Sequence, residues 1–334
     1  MGYRSKDFVE SSVNVLKSIS DAEVLEYPNS QSQRTIDVAI RVVGKGSVIV
    51  KVARDAAEVG KSEREELKRI SAAVGVNAFI VAETKYGQGL IEGVIYDVEG
   101  VKVVNINTII NAIQGEDYPV IFEDKDGFKI KIDGELLRTL RLKKGYSLGQ
   151  AAERLKVSRK TVYDYERGAV KPTIDVAERI IKEFGEDIAK PIDIFNNQDD
   201  VLTTRVSNLE GSPADSSFEG MIVERLRTLG WKFTHAKRAP LDIAASKNNV
   251  KVLLTIPHPN EARKLMTNRA ENMVKLAKAL MCDSYLVVDR SQKAEAKRVL
   301  GEPEKVLTVD ELSDLLGDEL DLKAASNYRE ARRW

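Results

Sequence analysis

The residues best suited to chemistry are cations and polar groups at helical spacing behind Ser158: Arg159, Lys160, Thr161, Tyr163, Asp164 and Arg167. Arg or Lys at the start of a helix can bridge O6 and N7 of guanine, and an Asp can accept from N4 of cytosine. This face therefore has the chemistry of direct base readout, although an ordinary solvated helix face could carry the same charges. Lys143, Lys144 and Lys171 flank it, and together with Thr161 they suit phosphate contacts that set register. Other chemistries are poorly supplied. One cysteine, Cys282, and two histidines, His235 and His258, cannot build a Cys/His zinc site or an intramolecular disulfide.

Local signals define the elements that hold these residues. Asp133 is a natural N-cap for a helix over 134–143, ended by Gly145, and Ser147 can cap a helix over 148–155. Lys156-Val157 is a short connection. Ser158 caps a third helix to Arg167, ended by Gly168, and Pro172-Thr173 opens a fourth to about Phe184. Ala152, Leu155, Val157, Val162 and Tyr165 are the apolar positions that pack the middle two helices, which leaves the cations outward. Two short capped helices joined by a tight turn form the unit whose second helix lies in the major groove. Charge agrees: residues 138–171 hold ten Lys+Arg against three Asp+Glu.

The outer blocks share one element order. The first runs as a helix (8–18), two strand-like runs (36–43 and 48–52) joined by Gly44-Lys45-Gly46-Ser47, a helix (63–74) and an apolar strand (78–82). Runs at 94–96 and 103–106 and a helix near 108–113 close it. The last block repeats this with a helix (218–229), runs at 241–245 and 250–256, a helix (268–280), strands at 285–288 and 306–309, and a helix at 310–316. Asp37 falls on Asp242, so one α/β unit is used twice.

Leu140-Arg141, Gly145-Tyr146-Ser147, Ala151-Ala152 and Leu155 through Gly168, with Pro172, closely resemble the XRE-type, lambda-repressor-like helix-turn-helix domain. In that family a Gln just inside the second helix often touches phosphate. Leu148 and Gly149 stand there, with Gln150 displaced as the candidate. The outer blocks resemble the restriction-endonuclease-like fold, whose active members carry Asp…(Asp/Glu)-x-Lys and often a Glu on the first helix. By that resemblance two carboxylates hold a divalent metal and the Lys positions the attacking water. The first block offers Glu10, Asp37 and Lys51, but Ile49 fills the place of the second acid. In the last block Leu253 and Thr255 replace acid and lysine after Asp242. Asp55 or Glu58 are candidates for a migrated carboxylate. A helix-turn-helix between two degenerate endonuclease-like domains resembles a group of archaeal XRE-type transcriptional regulators, whose Asp-Gly-Glu-Leu-Leu-Arg pattern appears as Asp133–Arg138 and whose Pro-Ile-Asp-Ile appears as residues 191–194.

The 334 residues carry 52 Lys+Arg and 52 Asp+Glu. That zero divides unevenly: residues 1–130 hold 16 against 20, 131–190 hold 14 against 10, and 191–334 hold 22 against 22. A basic head between acidic-to-neutral flanks is expected. The expected fold class is α/β plus all-α, with domains at 1–130, 131–195 and 215–318, a linker at 196–214 and a tail at 319–334. The function expected is a non-enzymatic, sequence-specific transcriptional regulator of double-stranded DNA, homodimeric and cytoplasmic, with no cofactor, metal or membrane; a small-molecule effector has no supporting motif. A metal-dependent nuclease targeted by the helix-turn-helix is the alternative.

Overall fold

The computed structural model describes residues 2–203, 206–211, 213–258, 261–299 and 305–317, so the tail at 319–334 lies outside the described residues. In chain order the elements are α1 (Gly2–Ile19), β1 (Asp21–Val24), β2 (Val38–Val42), β3 (Gly46–Val52), α2 (Lys61–Val74), β4 (Asn77–Val81), β5 (Thr84–Lys85), β6 (Gln88–Gly89), β7 (Val94–Val98), β8 (Val101–Val104), α3 (Ile106–Gln114), β9 (Ile121–Asp124) and β10 (Gly127–Ile130). Four helices follow: α4 (Gly134–Lys143), α5 (Leu148–Leu155), α6 (Arg159–Glu166) and α7 (Ile174–Phe184). The last run is α8 (Ser217–Thr228), β11 (Lys232–His235), β12 (Ile243–Lys247), β13 (Val250–Thr255), α9 (Arg263–Leu280), β14 (Asp283–Val287), α10 (Lys293–Val299) and β15 (Val306–Leu307), and residues 309–317 are helical. Two compact units emerge, neither continuous in sequence: one takes residues 53–58 and 79–203, the other residues 2–52, 59–78 and the described residues from 206 on. The first sequence block thus contributes to both.

The second unit holds two similar halves. In the first, β1, β2 and β3 form an antiparallel meander, with Val38 opposite Val50. In the other, β11, β12 and β13 do the same with Ile243 opposite Leu254, and β14 and β15 continue in parallel. The tight turns differ in composition and in length, three residues (43–45) in one and two (248–249) in the other. Gly44 and Gly46 have φ of 80° and 136°, while Asn248 and Asn249 sit at 48° and 68°, the left-handed region that hairpin turns demand. The halves share helices, α2 lying against β11 and β12, while α9 lies against β1 and β2 as well as against β13 and β14 of its own half. Hydrogen bonds repeat that reciprocity. Lys237 N donates to Oε2 of Glu66 on α2 at 2.9 Å, and Glu26 N donates to Oδ1 of Asn272 on α9 at 2.7 Å. Buried Glu66 also accepts from Thr35 Oγ1 and Arg238 N, both at 2.9 Å.

In the first unit β7 pairs antiparallel with β8 and parallel with β9, and β10 returns along β9. The β9–β10 hairpin was not anticipated from sequence. It seats the helices: Ile130 and Ile132 enter the core built by Leu137, Ala151, Leu155, Val162, Tyr165, Ala177 and Ile180. Backbone bonds fasten the junction, Ile130 N to Pro172 O at 3.0 Å and Asp133 N to Ile188 O at 2.9 Å. Part of the expected linker is packed too, since Val201 and Leu202 are buried and Asp199 takes an ion pair from Lys131. No helix among the described residues is long and apolar enough to cross a membrane.

Candidate nucleic-acid interface and the two aspartate centres

The helix ends form as the capping residues dictate. Asp133 Oδ1 accepts from Leu136 N at 2.9 Å, Ser147 Oγ from Gln150 N at 3.2 Å, and Ser158 Oγ from Thr161 N at 3.0 Å. Lys156, at φ 55°, caps α5 in the left-handed region and makes the turn into α6. Arg141, buried on α4, grips Glu166 of α6 through Nε (2.5 Å) and Nη2 (3.0 Å), and its Nη1 donates to Tyr146 O at 2.8 Å. The pair fixes α6 against α4. Close approach also requires Gly134, where a Cβ would stand 2.3 Å from Tyr165 O.

Against that frame the expected readers divide. Arg159, Lys160, Tyr163 and Arg167 are exposed on α6, the Arg167 guanidinium 5.3 Å from the Tyr163 ring centre, and Asp164 is half-buried beside them. The Arg159 guanidinium lies over Gly149, 3.0 Å from where a Cβ would be. Lys143 is exposed at the end of α4. Thr161 Oγ1 is 2.8 Å from Ser158 Oγ, within the cap, and Gln150 Oε1 accepts from Ser147 N at 2.9 Å. Lys144 donates to Glu183, and Lys171 donates to Gly168 O and Asp200, so both ammonium groups are already engaged.

Asp37 sits at the entry to β2, 1% exposed, its Oδ2 accepting from Val52 N at 2.8 Å. Burial pushes its carboxyl above the usual range, against the pull of Lys51. Lys51 Nζ lies 3.4 Å from Asp37 Oδ2 and 3.8 Å from Glu63 Oε1, and donates to Gln31 O (2.9 Å) and Arg34 O (2.6 Å). Glu63, the carboxylate that pairs with Lys51, comes from α2 and was missed by a search for an acid beside the lysine. Its approach depends on tertiary packing and leaves no mark at strand spacing. Among the described residues Asp37 Oδ1 and Glu63 Oε1 have no hydrogen-bond partner. Of the other acids considered, Glu10 is exposed on α1 and Glu58 is exposed. Asp55 accepts from Ala57 N, Thr84 Oγ1, Tyr86 N and Gly87 N, shaping the β5–β6 hairpin.

Asp242 repeats the Asp37 geometry, its Oδ2 accepting from Ile256 N at 2.6 Å. Here the cation is Arg269 of α9, 1% exposed, whose Nη1 reaches both Asp242 oxygens at 2.7 and 2.8 Å. Nη2 donates to Ile256 O at 2.5 Å and Glu261 Oε2 at 2.8 Å. His258 Nε2 is 3.3 Å from Asp242 Oδ1, and its pKa is raised by that hydrogen bond. The other histidine, His235, is buried against Glu219 at 2.6 Å. Cys282 is half-buried, and burial pushes its thiol up to about 12. A divalent cation needs convergent oxygen ligands with positions left open for water and phosphate. A guanidinium holds both Asp242 oxygens in one centre. An ammonium stands against both carboxylates in the other, all three side chains being buried. Neither donor set fits the metal of the endonuclease-like fold, and among the described residues no group of three or more His, Cys, Asp or Glu could hold one.

These features define a helix-turn-helix protein built on an endonuclease-like scaffold. Residues 5–119 match the PD-(D/E)XK superfamily domain and residues 137–190 match a helix-turn-helix domain. The chain is 34% identical over 281 residues to a "Putative HTH-type transcriptional regulatory protein" of Aeropyrum pernix, covering 83% of each chain. Relatives of the same description in Pyrococcus furiosus (30% identical, 77% of this chain and 81% of theirs) and Methanocaldococcus jannaschii (28%, 80% and 83%) are similar over comparable spans. The chain belongs to this family of HTH-type transcriptional regulatory proteins. No solved structure matches it.

Proposed function

We propose that the protein is a sequence-specific DNA-binding transcriptional regulator that reads the major groove with α6. The observation that carries this reading is the α5–turn–α6 unit, rigidly capped and core-packed, with Arg159, Lys160, Tyr163 and Arg167 on its open face. Asp164 joins the readers, while Lys143, the α5 cap region with Gln150, and Thr161 meet phosphate. Lys144 and Lys171 take part by exchanging a carboxylate for a phosphate. One reading helix spans only a few base pairs, so two copies on half-sites about one helical turn apart supply the remaining affinity. Because α2 and α9 already face one another's half within the chain, such pairing uses another surface. This reading places the protein in the cytoplasm with the DNA, without catalytic activity.

Salt-titrated binding to operator and to random DNA tests the assignment. Arg159→Ala is expected to cost about 1–3 kcal/mol on the operator and to relax specificity, whereas Lys143→Ala weakens all sequences alike. Equal losses on operator and random DNA for Arg159→Ala would remove it from base readout. The nuclease reading draws on Asp37, Glu63 and Lys51, but their burial under residues 31–34 keeps a phosphodiester away. Mg²⁺- or Mn²⁺-dependent cutting of linear or branched DNA, abolished by Asp37→Ala, would reinstate it.

A further inference from the structure

We infer that Arg269 is the resident cation of the second half, a guanidinium built into the position where this fold holds a divalent ion. The two halves can be laid on one another through backbone features alone. Asp37 and Asp242 each accept at Oδ2 from an amide at the end of the third strand of their meander, that of Val52, the last residue of β3, in one and of Ile256, just after β13, in the other. Each Asp amide donates back across the same strand, to Val50 O and Leu254 O. The crossing helices α2 and α9 both end in a left-handed cap, at Gly75 and Met281, and Glu63 and Arg269 each lie twelve residues before it. Lys51 then corresponds to Thr255. The strand lysine and helix glutamate of one half have become a threonine and an arginine in the other. Each half retains one buried aspartate and one cation, delivered from opposite elements.

The coordination of Arg269 is that of an ion holding a site together. Its two terminal nitrogens donate to both oxygens of Asp242, to Glu261 and to the carbonyl of Ile256, with the His258 ring alongside at 3.1 Å. It therefore ties the end of β13 and the segment leading into α9 to the aspartate, and its Cζ is 6.0 Å from the ring centre of Tyr27 in the first half. A guanidinium keeps its charge at any physiological pH, so the site needs no metal to be neutralised. With the guanidinium between them these three side chains do not form a metal-holding group; removing it leaves Asp242, Glu261 and His258 with no fixed cation among them, and carboxylate and imidazole are ligand types that transition-metal ions accept.

The experiment uses the full chain, with Mn²⁺ as the probe. Thermal unfolding and calorimetric titration are run on the unmodified protein, Arg269→Ala, and Arg269→Ala with Asp242→Ala, in EDTA and in Mn²⁺. The unmodified protein is expected to bind no Mn²⁺ at Asp242 and to melt at one temperature in both buffers. Arg269→Ala is expected to melt lower, to regain part of the loss in Mn²⁺ by mass action, and to lose that response when Asp242 is also removed. If Arg269→Ala is unfolded in EDTA, folding on addition of Mn²⁺ supports the inference. Failure of Mn²⁺ to stabilise or fold the variant overturns it. So does Mn²⁺ binding by the unmodified protein that Asp242→Ala abolishes.

Discussion

The two aspartate centres keep the same backbone and differ in where the neutralising charge comes from. At Asp37 a lysine on the neighbouring strand stands near two carboxylates, each with one oxygen that takes no hydrogen bond among the described residues. At Asp242 an arginine on the helix takes both oxygens of the aspartate and one of Glu261. The fold therefore demands a cation at this place but not a particular residue. Lysine is a point charge that can leave a carboxylate to take up a proton, whereas the planar guanidinium locks two acids in fixed geometry. One centre is adjustable and the other is fixed.

The largest effect should expose that difference. Arg269→Met leaves two buried carboxylates without their cation and is expected to cost about 3–5 kcal/mol. Lys51→Met should cost less, about 1–3 kcal/mol, because burial already holds the Asp37 carboxyl above its usual range and protonation relieves the charge. Urea unfolding of both variants decides, and equal losses would mean the centres are not different in kind.

The sharing of helices between halves gives the next contrast. Glu66→Ala strands a threonine hydroxyl and two backbone amides, for an expected loss of about 3 kcal/mol. Asn272→Ala strands one amide, about 1 kcal/mol. Denaturant midpoints in the opposite order would show that the reciprocal bonds do not carry the pairing.

Which parts were readable from sequence follows from the range of the forces involved. The helix-turn-helix was legible because Asp133, Ser147 and Ser158 act on amides three residues away. Asp37 and Asp242 were legible as equivalents because strand alternation is local as well. Glu63 and Arg269 were not, since a side chain on a helix meets a strand only after packing, and neither spacing nor composition records that meeting. The same holds for Lys144 and Lys171, whose carboxylate partners lie 39 and 29 residues away. The β9–β10 hairpin did carry a turn signal, Lys125-Asp126-Gly127, but its strands are only four residues each.

A smaller effect separates an exposed arginine from the buried one. Gly149→Ala adds helix propensity to α5, up to about 1 kcal/mol. Its new methyl meets the far end of the Arg159 side chain, which can swing aside. Stability is thus expected to hold or rise while operator affinity falls several-fold. In an Arg159→Ala background the same change should have no effect on binding. A double-mutant cycle measures this directly, and additive losses would show that Gly149 does not seat the guanidinium.

The smallest effect belongs to His258, the titratable ring of the fixed centre; the first half contains no histidine. Facing it are Asp242 and Glu261, which favour the imidazolium, and Arg269, which opposes it. Two carboxylates against one guanidinium leave a negative charge that the imidazolium completes. Its pKa is raised in the folded chain, so the stabilisation is fully present below the unfolded value of about 6.5 and disappears as pH rises through the folded value. Because the ring is nearly half exposed, solvent keeps the effect under about 1 kcal/mol. The stability of the unmodified chain over His258→Gln should therefore be greatest in mild acid and fade toward alkaline pH. A constant or rising difference would mean that Arg269 alone balances the centre and the histidine is only a neighbour.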